Sequence, residues 1–290
     1  MWLDDTLALL NVDFVQQSLI AAVLLGLLSG IIAPLIVLRN MSFSVHATSE
    51  LALMGAAAAL LFSFNVGIGA VLGAVVAAVV LGLLGLKNQD STVGVVMSFG
   101  LGLSVLFIHL YPGNSRSAFS LLTGQIVGVR DTSVWILAGI TALVVITLAL
   151  VWRPLLFISA DPVLATALGV NIRGYSLLFA VLVGLTASQS VQIVGALLVM
   201  ALLITPGAAA IQVASSPLTI VVFSVVIAFV SAVGGLVLSL APGLPVSVMV
   251  VSISFGIYLI CRFVGWRKSR RTTRDDAAAR RISAYRTQEN

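Results

Sequence analysis

His46 and Glu50 stand four residues apart in the stretch Arg39-Asn-Met-Ser-Phe-Ser-Val-His-Ala-Thr-Ser-Glu50, which opens onto a long apolar run. On a helix that spacing places both side chains on one face. An imidazole nitrogen and a carboxylate oxygen are ligands for zinc and for manganese, and together they could replace part of a divalent ion's hydration. A mutual His–Glu hydrogen bond near the membrane surface fits the same spacing, with Arg39 marking the interface. Ser42, Thr48 and Ser49 add polarity nearby. A carboxylate in hydrocarbon costs a few kcal/mol at least, so Glu50 should face a bundle interior and have a partner.

The remaining polar candidates are fewer and plainer. His109 precedes Tyr111-Pro112 at the end of another apolar run, where an incoming ion could meet it; a merely hydrated interfacial histidine fits that place as well. Gln189 and Gln192 flank an expected turn and read the same way. One cysteine, Cys261, excludes an intrachain disulfide, and its apolar setting points to packing.

The elements that must position these residues are membrane helices. Of 290 residues, 60% are apolar and only 9% charged, against about 25% charged in soluble domains; the mean hydropathy is +1.18. Nine apolar runs are long enough to cross a bilayer, at about 15–38, 47–64, 66–86, 92–110, 132–152, 173–190, 192–213, 217–238 and 244–264. They do not alternate as barrel strands do, so the fold class is an all-α, polytopic helix bundle. The narrowest boundary is near Asn65, between the second and third runs. Met1–Asp5 carry acid where a signal segment would be basic, so no cleavable signal is expected.

Lys and Arg mark the cytoplasmic side. With the basic tail inside, nine crossings put the N-terminus outside, and every basic residue except Arg116 and Arg130 falls inside. Three parts result: an extracytoplasmic segment 1–14, a transmembrane domain 15–265, and a cytoplasmic tail 266–290. The tail is read as a solvated, partly disordered end that fixes topology; binding to anionic lipid or nucleic acid is the less favoured reading, and no nucleic-acid partner is expected. Small residues four apart, Gly26 with Gly30, Gly69 with Gly73, and Ala74 with Ala78 and Gly82, suit close helix contact. Pro34 lies inside the first run and Pro206-Gly207 interrupt the seventh.

The longest internal cytoplasmic loop runs from about Arg153 to Arg173. Within it Asp161 is a good N-cap, Pro162 suits the first helical position and Gly169 the stop. Val163, Leu164, Ala167 and Leu168 give this short helix an apolar face, fit for docking a partner or for lying on the membrane interface. Neither Lys87 nor Lys268, the only lysines, stands in a phosphate-binding glycine loop, and no nucleophile–base set is evident. The chain is therefore expected to be no enzyme, and an ATP-driven process would need its engine on another chain.

Three stretches resemble the permease subunits of the zinc/manganese/iron ABC import family: Arg39 to Gly55, Asp161-Pro-Val-Leu-Ala165-Thr-Ala-Leu-Gly169-Val, and Val194-Gly-Ala-Leu-Leu through Pro206-Gly-Ala-Ala-Ala210. The resemblance covers about 15–265. In the first stretch the family pattern is Asp-Ala-x-Ser-His-x-x-x-x-Gly. Here His46 stands at its Asp position and Glu50 at its His position, so the two ligand types are kept with their order exchanged; Met54 replaces the family's Pro. The resemblance implies that His46 and Glu50 contact a transported divalent metal, zinc or manganese, with no resident cofactor. It makes Asp161, Pro162, Leu164, Ala165, Leu168 and Gly169 a coupling helix. It also implies a second permease copy, cytoplasmic ATP-binding subunits and an extracytoplasmic metal-binding protein as partners, in the plasma membrane. Its rivals are a permease for a metal chelate of siderophore or cobalamin type, which should want a wider, more aromatic path, and an ion-coupled secondary transporter, for which no internal repeat is seen.

Overall fold

The structure, a computed structural model, describes residues 12–84, 89–113, 131–240 and 244–288. Lys87, Arg116, Arg130 and the Pro242-Gly243 turn lie outside the described residues, as does most of segment 1–14. All regular structure among the described residues is helical: α1 Asp13–Leu38, α2 Ser42–Leu61, α3 Val66–Leu84, α4 Gln89–Leu110, α5 Asp131–Ala160, α6 Pro162–Ala167, α7 Ile172–Val194, α8 Ala196–Leu203, α9 Thr205–Val213, α10 Pro217–Leu240 and α11 Val246–Gln288. Seven of these are long and apolar enough to cross a membrane, and the apolar stretches Val66–Leu81 and Leu198–Val213 coincide with two more of the nine runs.

The boundary near Asn65 is a true turn. Ser63 takes a left-handed conformation at φ 59°, and the amides of Ser63 and Phe64 close back onto Leu60 and Ala59. This is the helix-ending motif that satisfies the last carbonyls. Asn65 then caps α3, its Oδ1 accepting from the Gly67 amide at 2.9 Å. The two helices fold back as a hairpin: Gly55 meets the backbone of Gly69, and Leu51 that of Gly73. No side chain stands between those backbones, which is what lets helices associate in a solvent as apolar as they are.

Three further packings fix the order of the bundle. α1 and α10 run antiparallel, with Gly26 against Phe229 and Gly30 against Val225. α3 and α7 run antiparallel, with Gly67 near Gln192 and Gly184 near Ala74. α11 runs parallel to α8 and α9, since Ser254 meets Ala201 and Gly265 meets Gln212. These directions agree with alternating crossings. They gather the end of α1, the starts of α2, α7 and α10, the end of α9, and the C-terminal part of α11 on the same face as α6.

Two expectations need correction. The loop expected over Arg153–Arg173 is shorter, because α5 continues through Pro154 to Ala160; the buried Leu155 and Ile158 offset the lost backbone bond. Gln189 and Gln192 flank no turn. They lie within α7, which stops only at Gly195, whose φ of 81° and ψ of 158° suit glycine alone. The interruption expected at Pro206-Gly207 is present: the seventh run breaks at Ile204, and Pro206 sits in the first turn of α9. Over residues 266–288 the chain continues α11 as one helix.

Candidate metal centre

α2 starts immediately after α1. Asn40 at φ 53° ends α1, with its own amide bonded to Val37 and that of Met41 to Ile36, and the Val45 amide already bonds Met41. His46 is thus four residues and Glu50 eight residues into α2, about 6 Å and 12 Å along its axis. Both residues lie within a helix long and apolar enough to cross a membrane. Its relative exposure is 6%.

The pair faces away from the α3 hairpin. Counting back from Gly55, which packs on α3, the helical turn of about 100° per residue carries Glu50 and His46 to the opposite side of α2. His46 Nδ1 lies 3.9 Å from Glu50 Oε1. That is too long for a hydrogen bond, so the mutual bond allowed by the sequence is not formed. Both His46 Nδ1 and Glu50 Oε2 are buried without any partner. The neighbouring hydroxyls do not help: Thr48 donates to the Ser44 carbonyl at 2.8 Å, and Ser49 to that of His46 at 2.7 Å. An imidazole nitrogen and a carboxylate oxygen, bound to a metal at about 2.0–2.2 Å each, can share one ion across a gap of up to about 4 Å. No group of three or more His, Cys, Asp or Glu residues gathers among the described residues. Two ligands hold an ion loosely, which suits transit rather than storage.

α4 forms one wall. Ser104 Oγ donates to the Gly100 carbonyl at 2.7 Å and lies 3.5 Å from the Glu50 carbonyl oxygen. Gly100 leaves room for Leu51, whose Cδ1 would be 2.8 Å from any added Cβ. The sequence reading missed this wall, although Gly100 and Ser104 repeat the four-residue small spacing it used elsewhere. His109, five residues past Ser104, is exposed in the last turn of α4 and does not join the pair. Gln189 is 4% exposed, buried within α7 rather than hydrated.

The residues of the expected coupling helix come together as α6. Asp161 Oδ1 accepts from the Leu164 amide at 2.9 Å, Pro162 occupies the first turn, and Gly169 at φ 77° ends the helix. The Gly169 and Val170 amides bond Thr166 and Ala165, closing the same end motif seen after α1 and α2. Ala165 is fully buried, while Val163 and Leu168 are 79% and 67% exposed. Leu164 is also exposed.

Comparisons with known proteins bear on the family and the fold. Residues 11–265 match the model of the ABC 3 transport family. A manganese import system permease protein, ScaB of Streptococcus parasanguinis, is 31% identical over 254 residues, 87% of this chain and 90% of the relative. A manganese transport system membrane protein, MntC of Halalkalibacterium halodurans, is 29% identical over 88% of each chain. The solved structure of PsaBC from Streptococcus pneumoniae in complex with Fab superposes with a TM-score of 0.82 at 28% identity, covering 90% of this chain and 95% of that one. The chain described here is a multi-pass membrane protein, and it belongs to the ABC 3 transport family.

Proposed function

We propose that this chain is the transmembrane permease of an ATP-driven importer for a divalent transition-metal ion, with manganese ahead of zinc because the named relatives handle manganese. The observation that carries the reading is the pair His46 Nδ1 and Glu50 Oε2, buried at membrane depth and unpartnered. Buried charge without a partner is costly, and a passing cation supplies the partner. The chain carries no ATPase motif and acts as a permease subunit rather than an enzyme.

The face bearing α6 is cytoplasmic in this reading, because Arg39, Arg153, Arg173 and the basic end of α11 cluster there. The N-terminus is then outside. A cytoplasmic ATPase pair docks on the exposed Val163, Leu164 and Leu168 of two permease copies, and an extracytoplasmic binding protein delivers the ion. ATP binding shifts the helices behind Asp161–Gly169 and opens the path past His46 and Glu50 to alternate sides.

Radiolabelled manganese uptake into proteoliposomes holding the whole complex, with zinc as competitor, tests this. Glu50→Ala should cut uptake about tenfold or more while the complex still assembles, as expected when an interaction with the passing ion is lost. Normal uptake by that variant at limiting metal removes the pair from the path.

A further inference from the structure

Arg39 is half-buried on the same face as α6, and its side chain reaches across the bundle. Its Nη2 donates to Ser176 Oγ of α7 at 2.7 Å, and its guanidinium carbon lies 5.1 Å from the centre of the Phe179 ring. Its Nη1 is buried and meets nothing. The sequence analysis used Arg39 only as a marker of the membrane surface.

Both ends of this contact are stiffly mounted. On one side, Arg39 caps α1 and is followed by the left-handed Asn40, so only Arg39–Met41 separate α1 from α2. His46 lies one turn into α2. On the other side, Ser176 and Phe179 occupy the first two turns of α7. Asn171 caps that helix, its Oδ1 accepting from the Gly174 amide at 3.0 Å, and the closed turn at Gly169 joins it to α6. α6 and the candidate-site helix α2 are far apart in sequence; α2 packs directly on α7, and the Arg39 side chain adds the polar tie between that helix pair and the end of α1.

We infer that Arg39 is the pin that carries displacement of α6 to α2, and so to His46 and Glu50. The inference rests on the permease reading above and on α6 as its docking helix. Three facts favour a moving part over a static tie. Guanidinium stacking on a ring tolerates sliding, because the attraction is spread over the face. The unmet Nη1 donor leaves the contact half-satisfied in this conformation, so a second arrangement that meets it competes with the first. Transmission between sites needs an element with two discrete arrangements, and a half-buried arginine with one enclosed, unmet donor is built to have them. Arg39 is a positioning residue: it touches neither metal nor ATP.

The test uses the full complex in proteoliposomes, reading manganese transported per ATP hydrolysed. Arg39→Ala should keep assembly and hydrolysis within about twofold while lowering that ratio about tenfold, inside the range for residues along a coupling path. Arg39→Lys keeps the charge but lacks the planar fork and should recover only part of the ratio. A wild-type ratio in Arg39→Ala, or an equal fall of hydrolysis and uptake, overturns the inference. If Arg39→Ala does not assemble, Ser176→Ala and Phe179→Leu take its place; each should lower the ratio about two- to threefold, and wild-type ratios in both overturn it. Leu164→Asp separates this from the docking reading. Retained ATPase association in that variant sinks α6 as the docking helix. Lost association there with a normal ratio in the Arg39 variants sinks the pin alone.

Discussion

Two buried stretches of the bundle use their burial in opposite ways. Where α1 crosses α10, Gly26 and Gly30 let backbone touch backbone. Burial there is contact, and contact is what holds helices together in lipid. In the first half of α2, Glu50 is also enclosed, but its Oε2 and the Nδ1 of the partly exposed His46 meet no hydrogen-bond partner, and that Nδ1 stands 3.9 Å from Glu50 Oε1. Burial there raises the energy of the protein. Ser29, Ser224 and Ser231, on α1 and α10, also lack partners. A neutral hydroxyl can turn onto the carbonyl one helical turn back, however, and a carboxylate cannot. The difference teaches that a membrane bundle's seams can be read as stability, while a pocket of unmet charge is held there against stability and has to be explained by use.

The comparison breaks most readily at the seam. Gly30→Val would place a branched side chain against the Val225 backbone, which cannot swing aside as a side chain does. Overpacking of this kind costs about 3 kcal/mol at the upper end. Thermal unfolding of the purified chain in detergent should show that loss. Unchanged stability would mean that α1 and α10 can part without penalty, and the seam would not be one.

The site should respond with the opposite sign. Glu50→Leu removes a buried, unpartnered carboxylate and puts an apolar group of similar size among apolar neighbours. Removing a buried group that meets no hydrogen-bond partner removes its desolvation cost, so a gain rather than a loss of stability is expected in the same unfolding assay. Metal uptake should collapse in the same variant. A variant that is destabilised instead would show that Glu50 has a structural partner, and the contrast between seam and site would lose its basis.

The short helix α6 obeys a third rule, since neither seam contact nor buried charge shapes it. Its start depends on Asp161 accepting from the Leu164 amide. Asp161→Ala should weaken the helix by about 1 kcal/mol, read as faster amide exchange at Leu164. Unchanged exchange would mean that Ala165, buried beneath the helix, holds α6 without its cap.

The seams were largely legible beforehand, because glycine at a four-residue spacing carries its meaning in the sequence: Gly26, Gly30, Gly69 and Gly73 all sit at close helix contacts. So did α6, whose Asp161, Pro162 and Gly169 each have one conformational job. The ends of apolar runs were less legible. Glutamine fits inside a helix as well as at a turn, so Gln189 misled, whereas Gly195, with a φ that other residues rarely adopt, was the actual break. The loop start near Arg153 was placed too early, because buried packing beyond Pro154 outweighs one lost bond. The pairing of Arg39 with Ser176 is a contact between residues with no sequence relation, and only the folded bundle brings them together. The His46–Glu50 pair was visible as a spacing, but whether the two would satisfy each other is a matter of a distance near 4 Å, which no spacing determines.

Ser104 is the residue on which seam and site meet, and it gives the finest division between them. It is fully buried on α4, its hydroxyl bonded to Gly100 in its own helix and only grazing the Glu50 carbonyl at 3.5 Å. Because the donor is already used within α4, losing the hydroxyl should matter little. Ser104→Ala should change stability by about 0.6 kcal/mol, the mean for a hydrogen bond between membrane helices. If the wall only encloses the pair, uptake should stay within about twofold. If the graze instead fixes where Glu50 stands along the path, the apparent KM for manganese should rise while maximal uptake holds, because the ion would meet a displaced ligand rather than a missing one. A fall as deep as that of Glu50→Leu would place α4 inside the site itself, and the boundary between contact that stabilises and charge that serves would then run along the far side of Ser104.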